Sequence, residues 1–220
     1  MTDTVLDTAL PKTFADWWEL AGEWIETPNQ RRGGWSGVQY CVLNNRRYYI
    51  KKQCNHTYLT LGWPMRRPTV GREYRSIERL AKLGVRAPVP VFFGEQHSHE
   101  GLLAILVTEE LSGFAPLSEQ QGITPRQRTI LAEEAGKTVA RFHRASLQHR
   151  ALYDKHLMIR WPSADIPEIA LLDLEGMRFV GLPSLAARRD LAQLRRRQDI
   201  WNDADWQVLL RSHAQAMQGQ

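Results

Sequence analysis

Apolar residues first recur at helical spacing at Phe14, Trp17 and Trp18, so a short amphipathic helix is expected from Phe14 to Trp24. Thr13 is placed to cap it, with Asp16 at the third helical position, and Thr27-Pro28-Asn29 ends the segment. The period then shortens to two. Gln39 to Leu43 and Arg46 to Lys52 read as two strands joined by a turn at Asn44-Asn45. The run Arg31-Arg32-Gly33-Gly34-Trp35-Ser36-Gly37 leads into this hairpin. Alternation puts Tyr49 and Lys51 on one face of the second strand and turns Lys52 outward as the solvated lysine.

The helical period returns between Thr69 and Lys82 through Val70, Tyr74, Ile77, Leu80 and Ala81, with Thr69 as the cap and Gly84 as the stop. Glu73 lies at the border of that stripe, within reach either of Lys51 or of its helical neighbours Arg72 and Arg75. Val85 to Phe93 is broken by Pro88 and Pro90, which restricts it to an edge or a kinked strand. Leu102 to Leu111 is a buried central strand, and the change to Ser112-Gly113 after it marks a boundary between two lobes, residues 1–111 and 112–220. Thr124-Pro125-Arg126-Gln127 is a capping box with proline at the first helical position, and it opens a helix to about Ser146. Two further helical segments follow at about 184–197 and 203–217. Together these elements predict an α+β fold with a sheet-rich first half and a mostly helical second half.

Composition narrows the function. The 220 residues are 43% hydrophobic and 24% charged, as in an ordinary globular protein. No apolar run is long enough to span a bilayer, and Met1-Thr2-Asp3-Thr4 lacks the features of a signal peptide, so a cytoplasmic protein is expected. Cys41 and Cys54 are too few for a disulfide framework. The net charge of +5 favours anionic partners. Nucleic acid is disfavoured, because there is no helix-turn-helix or zinc-finger pattern and the aromatic residues read as core. Six arginines, Arg178, Arg188, Arg189, Arg195, Arg196 and Arg197, face one acid, Asp190, between 178 and 197. This cluster is either a solvated face or a patch that meets an anionic substrate.

Chemistry concentrates in two places. His156 precedes the apolar run Leu157-Met158-Ile159, and Asp173 follows Ile169-Ala170-Leu171-Leu172. Two short adjacent strands would carry such runs and leave both polar side chains at one mouth, able to hold a divalent metal. Lys51, if turned inward, needs an anionic partner, and Gly33, Gly34 and Gly37 let backbone amides approach phosphate oxygens. A zinc triad of His143, His149 and His156 is disfavoured, because spacings of six and seven do not share a helix face. His143 and His149 read instead as hydrogen-bonded structural histidines at the base of the loop.

The order of these features is similar to the protein-kinase signature set. Tyr49-Ile50-Lys51, Gly71-Arg72-Glu73-Tyr74, Phe142-His143-Arg144-Ala145, Tyr153-Asp154-Lys155-His156 and Leu171-Leu172-Asp173-Leu174-Glu175 most resemble the lipopolysaccharide core (Kdo and heptose) kinases, in particular their InaA-like branch. The resemblance spans about residues 29–210. It implies a protein-kinase-like, two-lobed fold with a reduced C-lobe, and ATP with Mg²⁺ as cofactors. The substrate it implies is an anionic glycolipid, a lipopolysaccharide core sugar, with peripheral contact at the inner membrane.

The same resemblance implies a role for each matching residue. Gly33, Gly34 and Gly37 would cover the phosphates, Lys51 hold them and Glu73 fix Lys51, with the backbone from Glu109 to Leu111 meeting adenine. Asp173 and His156 would hold the metal. His149 opens the catalytic-type loop, but Ala151 stands where the family's catalytic Asp would follow His149-Arg150. Either charge neutralisation suffices without a base, or Asp154 substitutes, or the protein is a pseudokinase that binds nucleotide or glycolipid. Leu174-Glu175 in place of Phe-Gly after Asp173 implies a site without the usual activation switch.

Overall fold

Thr13 caps the first helix, α1 (Phe14–Glu19), through a capping box with Asp16, as the sequence predicts. A computed structural model describes residues 9–31, 33–60 and 63–219. Arg32 of the glycine-rich run and the Met1–Thr4 stretch read for a signal peptide lie outside the described residues. The chain divides into two compact units: the residues up to Arg75 with Pro88–Glu110, and Ser76–Ala87 with Leu111–Gln220. No helix among the described residues is long and apolar enough to cross a membrane.

In the first unit, α1 is shorter than its apolar spacing suggests. It stops at Glu19, and Trp24 lies in a strand, β1 (Glu23–Arg31). Thr27-Pro28-Asn29 therefore sits inside β1, where the register with β2 (Gly34–Leu43) shifts between Glu26 and Asn29. Proline removes a ladder donor, and the exposed, bulged edge strand tolerates that loss. In the glycine-rich run Gly33 stands in the turn from β1, and Gly34 to Gly37 are already in β2, which begins earlier than the alternation suggests and pairs with the next strand. β2 continues through Asn44 and Asn45, both at positive φ, into β3 (Arg46–Cys54). β4 (Thr57–Thr60) and β5 (Trp63–Pro68) form a separate hairpin ahead of α2 (Thr69–Lys82). β6 (Pro90–Ser98) and β7 (Gly101–Glu109) complete a five-stranded antiparallel sheet in the order β1-β2-β3-β7-β6. The edge position of β6 is as expected, but the strand begins at Pro90 and runs to Ser98, so Pro88 lies before it. Trp17, Tyr48, Ile50, Ile105 and Val107 form the core under α1.

Lys52 corrects the alternation argument. It is buried, not solvated; its Nζ donates to the carbonyls of Trp18 (2.5 Å) and Leu20 (3.3 Å) and lies 5.9 Å from the Trp18 ring centre. The carbonyls exposed where α1 ends supply the partners that make the burial tolerable, and burial lowers the Lys52 pKa.

The second unit is built on β8 (Ala115–Pro116) and α3 (Pro125–Arg144), whose capping box pairs Thr124 with Gln127. β9 (Leu147–Gln148) follows, and β10 (Leu157–Ser163) and β11 (Ile166–Leu171) form the expected pair of short strands, with Leu157 opposite Leu171. β12 (Arg178–Phe179) pairs with β9. α4 (Pro183–Arg197) and α5 (Asp203–Met217) close the unit. A Cβ on Gly136 would lie 2.4 Å from the Leu209 carbonyl, so α3 and α5 approach through a missing side chain. The segment after α2 belongs here too: Arg86 bridges Ala170 in parallel, and its carbonyl accepts from Leu171 N at 3.0 Å.

Candidate active site

Two groups of residues, one in each unit, carry the chemistry. In the first unit Lys51 leaves β3 on the face toward α2. Its Nζ donates to Glu73 Oε2 at 2.7 Å, with both side chains about four-fifths buried. Of the two partnerships open to Glu73, the structure shows the one across to β3. Gln53 fixes the start of α2: its Oε1 accepts from Val70 N at 3.0 Å, and its Nε2 donates to Thr69 Oγ1 at 2.9 Å. Thr69 is therefore the first residue of the helix, its hydroxyl engaged by the sheet.

The three glycines differ. Gly33 has φ +78° with open space where a Cβ would stand, as a tight turn requires. At Gly34 a Cβ would come within 2.0 Å of the Cys54 carbonyl, and at Gly37 within 2.8 Å of the Trp24 ring. Both are dictated by contacts inside the sheet. At the end of β7, the amides of Glu109 and Glu110 donate to the carbonyls of Val89 and Arg47. That leaves Leu111, at the start of the second unit, as the next amide along the chain.

In the second unit two side chains of α4, Asp190 and Gln193, hold the backbone amides that open the stretch from His149 to His156. Asp190, on α4 and fully buried, accepts from His149 N (2.6 Å), Arg150 N (3.0 Å) and His143 Nε2 (3.2 Å). His143 Nδ1 then accepts from His213 Nε2 at 2.9 Å. Gln193 Oε1 accepts from Leu152 N at 3.1 Å. Arg150 and Asp173 adopt positive φ, 72° and 56°, a strained backbone that persists only where surrounding bonds impose it.

The Ala151 carbonyl accepts from His156 Nδ1 at 2.7 Å, and Leu172 N donates to the His156 carbonyl at 3.0 Å. With Nδ1 as the donor, Nε2 is the ring nitrogen of His156 left to meet a ligand. Asp173 lies beside it, with Oδ2 3.7 Å from His156 Nδ1 and the carboxylate about half exposed. Among the described residues no three His, Cys, Asp or Glu side chains gather into a metal cage. One carboxylate and one imidazole suit an ion whose other positions are filled by phosphate oxygens and water, the usual mode for Mg²⁺.

His149 is placed differently from the other proposed catalytic residues. It is fully buried, and its Nδ1 accepts from Ala151 N at 3.3 Å. Burial pushes its pKa down to about 4, against the opposing pull of Asp190. The role open to it is to hold the loop, not to meet substrate. Asp154 is partly exposed, and its Oδ1 accepts from Lys155 N at 2.8 Å. Asp190 and Gln193 are the residues that reading the chain alone does not single out. The signal was there: Asp190 interrupts an apolar stripe of Ala186, Ala187, Leu191 and Leu194, where a lone buried acid must have dedicated donors.

The family model "Lipopolysaccharide kinase (Kdo/WaaP) family" matches residues 15–213. Protein InaA of Escherichia coli (strain K12) is 31% identical over 201 residues, 88% of this chain and 92% of InaA. Lipopolysaccharide core heptose(I) kinase WaaP of Pseudomonas aeruginosa is 26% identical over 173 residues, 69% of this chain and 63% of that protein. A solved structure, WaaP in complex with acyl carrier protein, aligns with a TM-score of 0.71 at 23% identity, over 92% of this chain and 82% of that chain, which shows a shared fold. The chain is a member of the lipopolysaccharide kinase (Kdo/WaaP) family.

Proposed function

We propose that this protein is an ATP-dependent kinase that phosphorylates a hydroxyl of a lipopolysaccharide inner-core sugar, Kdo or heptose, at the cytoplasmic side of the inner membrane. The fold is protein-kinase-like, with residues 1–111 as the nucleotide-covering lobe and 112–220 as the reduced C-lobe. The observation that carries the proposal is the closeness of Asp173 to the His156 ring, with Oδ2 3.7 Å from Nδ1, where the Ala151 carbonyl orients that ring. Bound Mg²⁺ would neutralise charge on the transferring phosphate. Lys51, held by Glu73, binds the nucleotide phosphates, the turn at Gly33 covers them, and the Leu111 amide meets the base. As the acceptor oxygen bonds to the γ-phosphorus and the bond to the β-phosphate oxygen breaks, Asp154 takes the hydroxyl proton.

Thermal unfolding with and without MgATP tests this assignment. Ligand at 100 times Kd stabilises by about 2.7 kcal/mol. Asp173→Ala is expected to lose the Mg²⁺-dependent part of that shift; an unchanged shift would remove Asp173 from the metal site. Ala151 favours a second reading, a regulatory protein that binds nucleotide or glycolipid without transfer. Turnover of purified core oligosaccharide supports the kinase, and binding without turnover supports the regulator.

A further inference from the structure

The arginine cluster is not a uniform solvated face. Along α4, positions 188, 189, 193 and 196 fall on one side of the helix, while Ala186, Ala187, Asp190, Leu191 and Leu194 are buried on the other. The outer positions form one wall of an open recess of about 400 Å³, completed by Gln148 of β9 and by Arg150. Four of the lining side chains are guanidinium groups and none is acidic. Asp190, the cluster's single acid, is turned inward and engaged by two backbone amides and His143.

The arginines divide by occupation. Arg195 pairs with Asp203 and lies over the Trp206 ring, and Arg197 lies over the Tyr153 ring. Arg188, Arg189 and Arg196 are exposed, and their guanidinium groups make no hydrogen bond or ion pair among the described residues. Like charges held on one helix face destabilise it, and a bound oxyanion relieves that repulsion with forked, charge-assisted bonds. Gln148 adds an independent feature. It is 6% exposed, and its buried Oε1 has no hydrogen-bond partner. A bare oxyanion has no donor to offer that oxygen, but a ligand hydroxyl does.

We propose that this recess anchors the acceptor: it holds the carboxylate or phosphate of a hydroxylated ligand, of the sugar-acid or sugar-phosphate class, on Arg188, Arg189 and Arg196, with a neighbouring hydroxyl donated to Gln148. The word acceptor rests on the kinase assignment above; the binding does not. The helix that lines the recess is also the helix whose Asp190 and Gln193 hold residues 149–152. An anion bound here is therefore registered to the loop that carries His156.

Calorimetric titration of the full chain, without nucleotide, with glycerol 3-phosphate and with methyl phosphate tests this. Arg188→Ala and Arg196→Ala should each weaken both probes about tenfold or more, while Arg211→Ala, an exposed arginine on α5, should leave both unchanged. Gln148→Met should remove the preference for glycerol 3-phosphate and spare methyl phosphate. Equal losses from Arg211→Ala would mean bulk charge attraction and overturn the proposal. So would binding to phosphatidylglycerol vesicles with none to the soluble probes, which would mean a membrane surface. Probe binding with no MgATP-induced stabilisation would sink the kinase assignment alone, and the reverse result would sink the recess alone. The substituted arginines are exposed, so an unchanged unfolding temperature is expected and is checked in each variant.

Discussion

Asp190→Asn changes one charge and one acceptor inside the second unit and almost nothing in volume. In the native chain Oδ2 accepts from His149 N at 2.6 Å and His143 Nε2 at 3.2 Å, and Oδ1 accepts from Arg150 N at 3.0 Å. The asparagine carbonyl can serve the first two donors. Its amide then faces the Arg150 N–H, donor against donor. One unsatisfied donor costs about 1–3 kcal/mol, and two bonds that lose charge assistance forfeit about 1 kcal/mol each. Relief from burying a charge offsets part of this, which leaves a loss of about 2–4 kcal/mol against a typical total of about 5–15 kcal/mol. Equilibrium urea unfolding followed by tryptophan fluorescence measures it, since Trp201 and Trp206 lie in the same unit. A loss below about 0.5 kcal/mol would refute the claim that Asp190 holds the loop.

Two further predictions concern the loop and its surroundings. His149 and His213 are both pushed down to about 4, each chiefly by burial, whereas the unfolded imidazoles protonate near pH 6.5. Between those values the unfolded chain binds more protons, so stability is full above about pH 6.5 and falls as pH drops toward 4, by roughly 3 kcal/mol for each residue. Urea midpoints at pH 7.5, 5.5 and 4.5 should decline in that order, and His213→Gln should flatten the decline; a pH-independent midpoint contradicts the assignment. Ala151→Asp should raise phosphotransfer to core oligosaccharide by about 10²-fold or more and leave MgATP binding unchanged. No gain, with binding intact, would mean that position 151 does not face the acceptor.

The elements that were legible in the sequence are those fixed by local rules. Both capping boxes, the Asn44-Asn45 turn, the proline-bearing edge strand and the stop at Gly84 each need only a few neighbouring residues to be specified. The pairing of the strands after His156 and before Asp173 was legible from two short apolar runs. Lys52 was misjudged because its burial depends on carbonyls more than thirty residues away, at the end of α1. The span of α1 was misjudged because Trp24 continues a helical spacing while lying in a strand. Asp190 was read only as the one acid of the arginine cluster, because its three partners come from two other segments and two are backbone amides, which no side-chain motif records.

That backbone dependence bears on Ala151, which stands where the expected pattern has a catalytic Asp. The bonds that shape residues 149–156 run from the amides of His149 and Arg150 to Asp190, from Leu152 N to Gln193, and from His156 Nδ1 to the Ala151 carbonyl. None of them uses the side chain at 151. A methyl group there leaves the Ala151 carbonyl in place, and with it the tautomer that frees His156 Nε2. On the proposed kinase assignment, metal presentation and proton acceptance are therefore separable: the first would reside in the backbone and α4, the second in whichever carboxylate reaches the acceptor. Loss of a side chain at 151 removes a candidate base and leaves the groups that would hold nucleotide-bound metal where they are. Binding and turnover should accordingly respond to different substitutions, binding to Asp173 and Asp190, and turnover to positions 151 and 154.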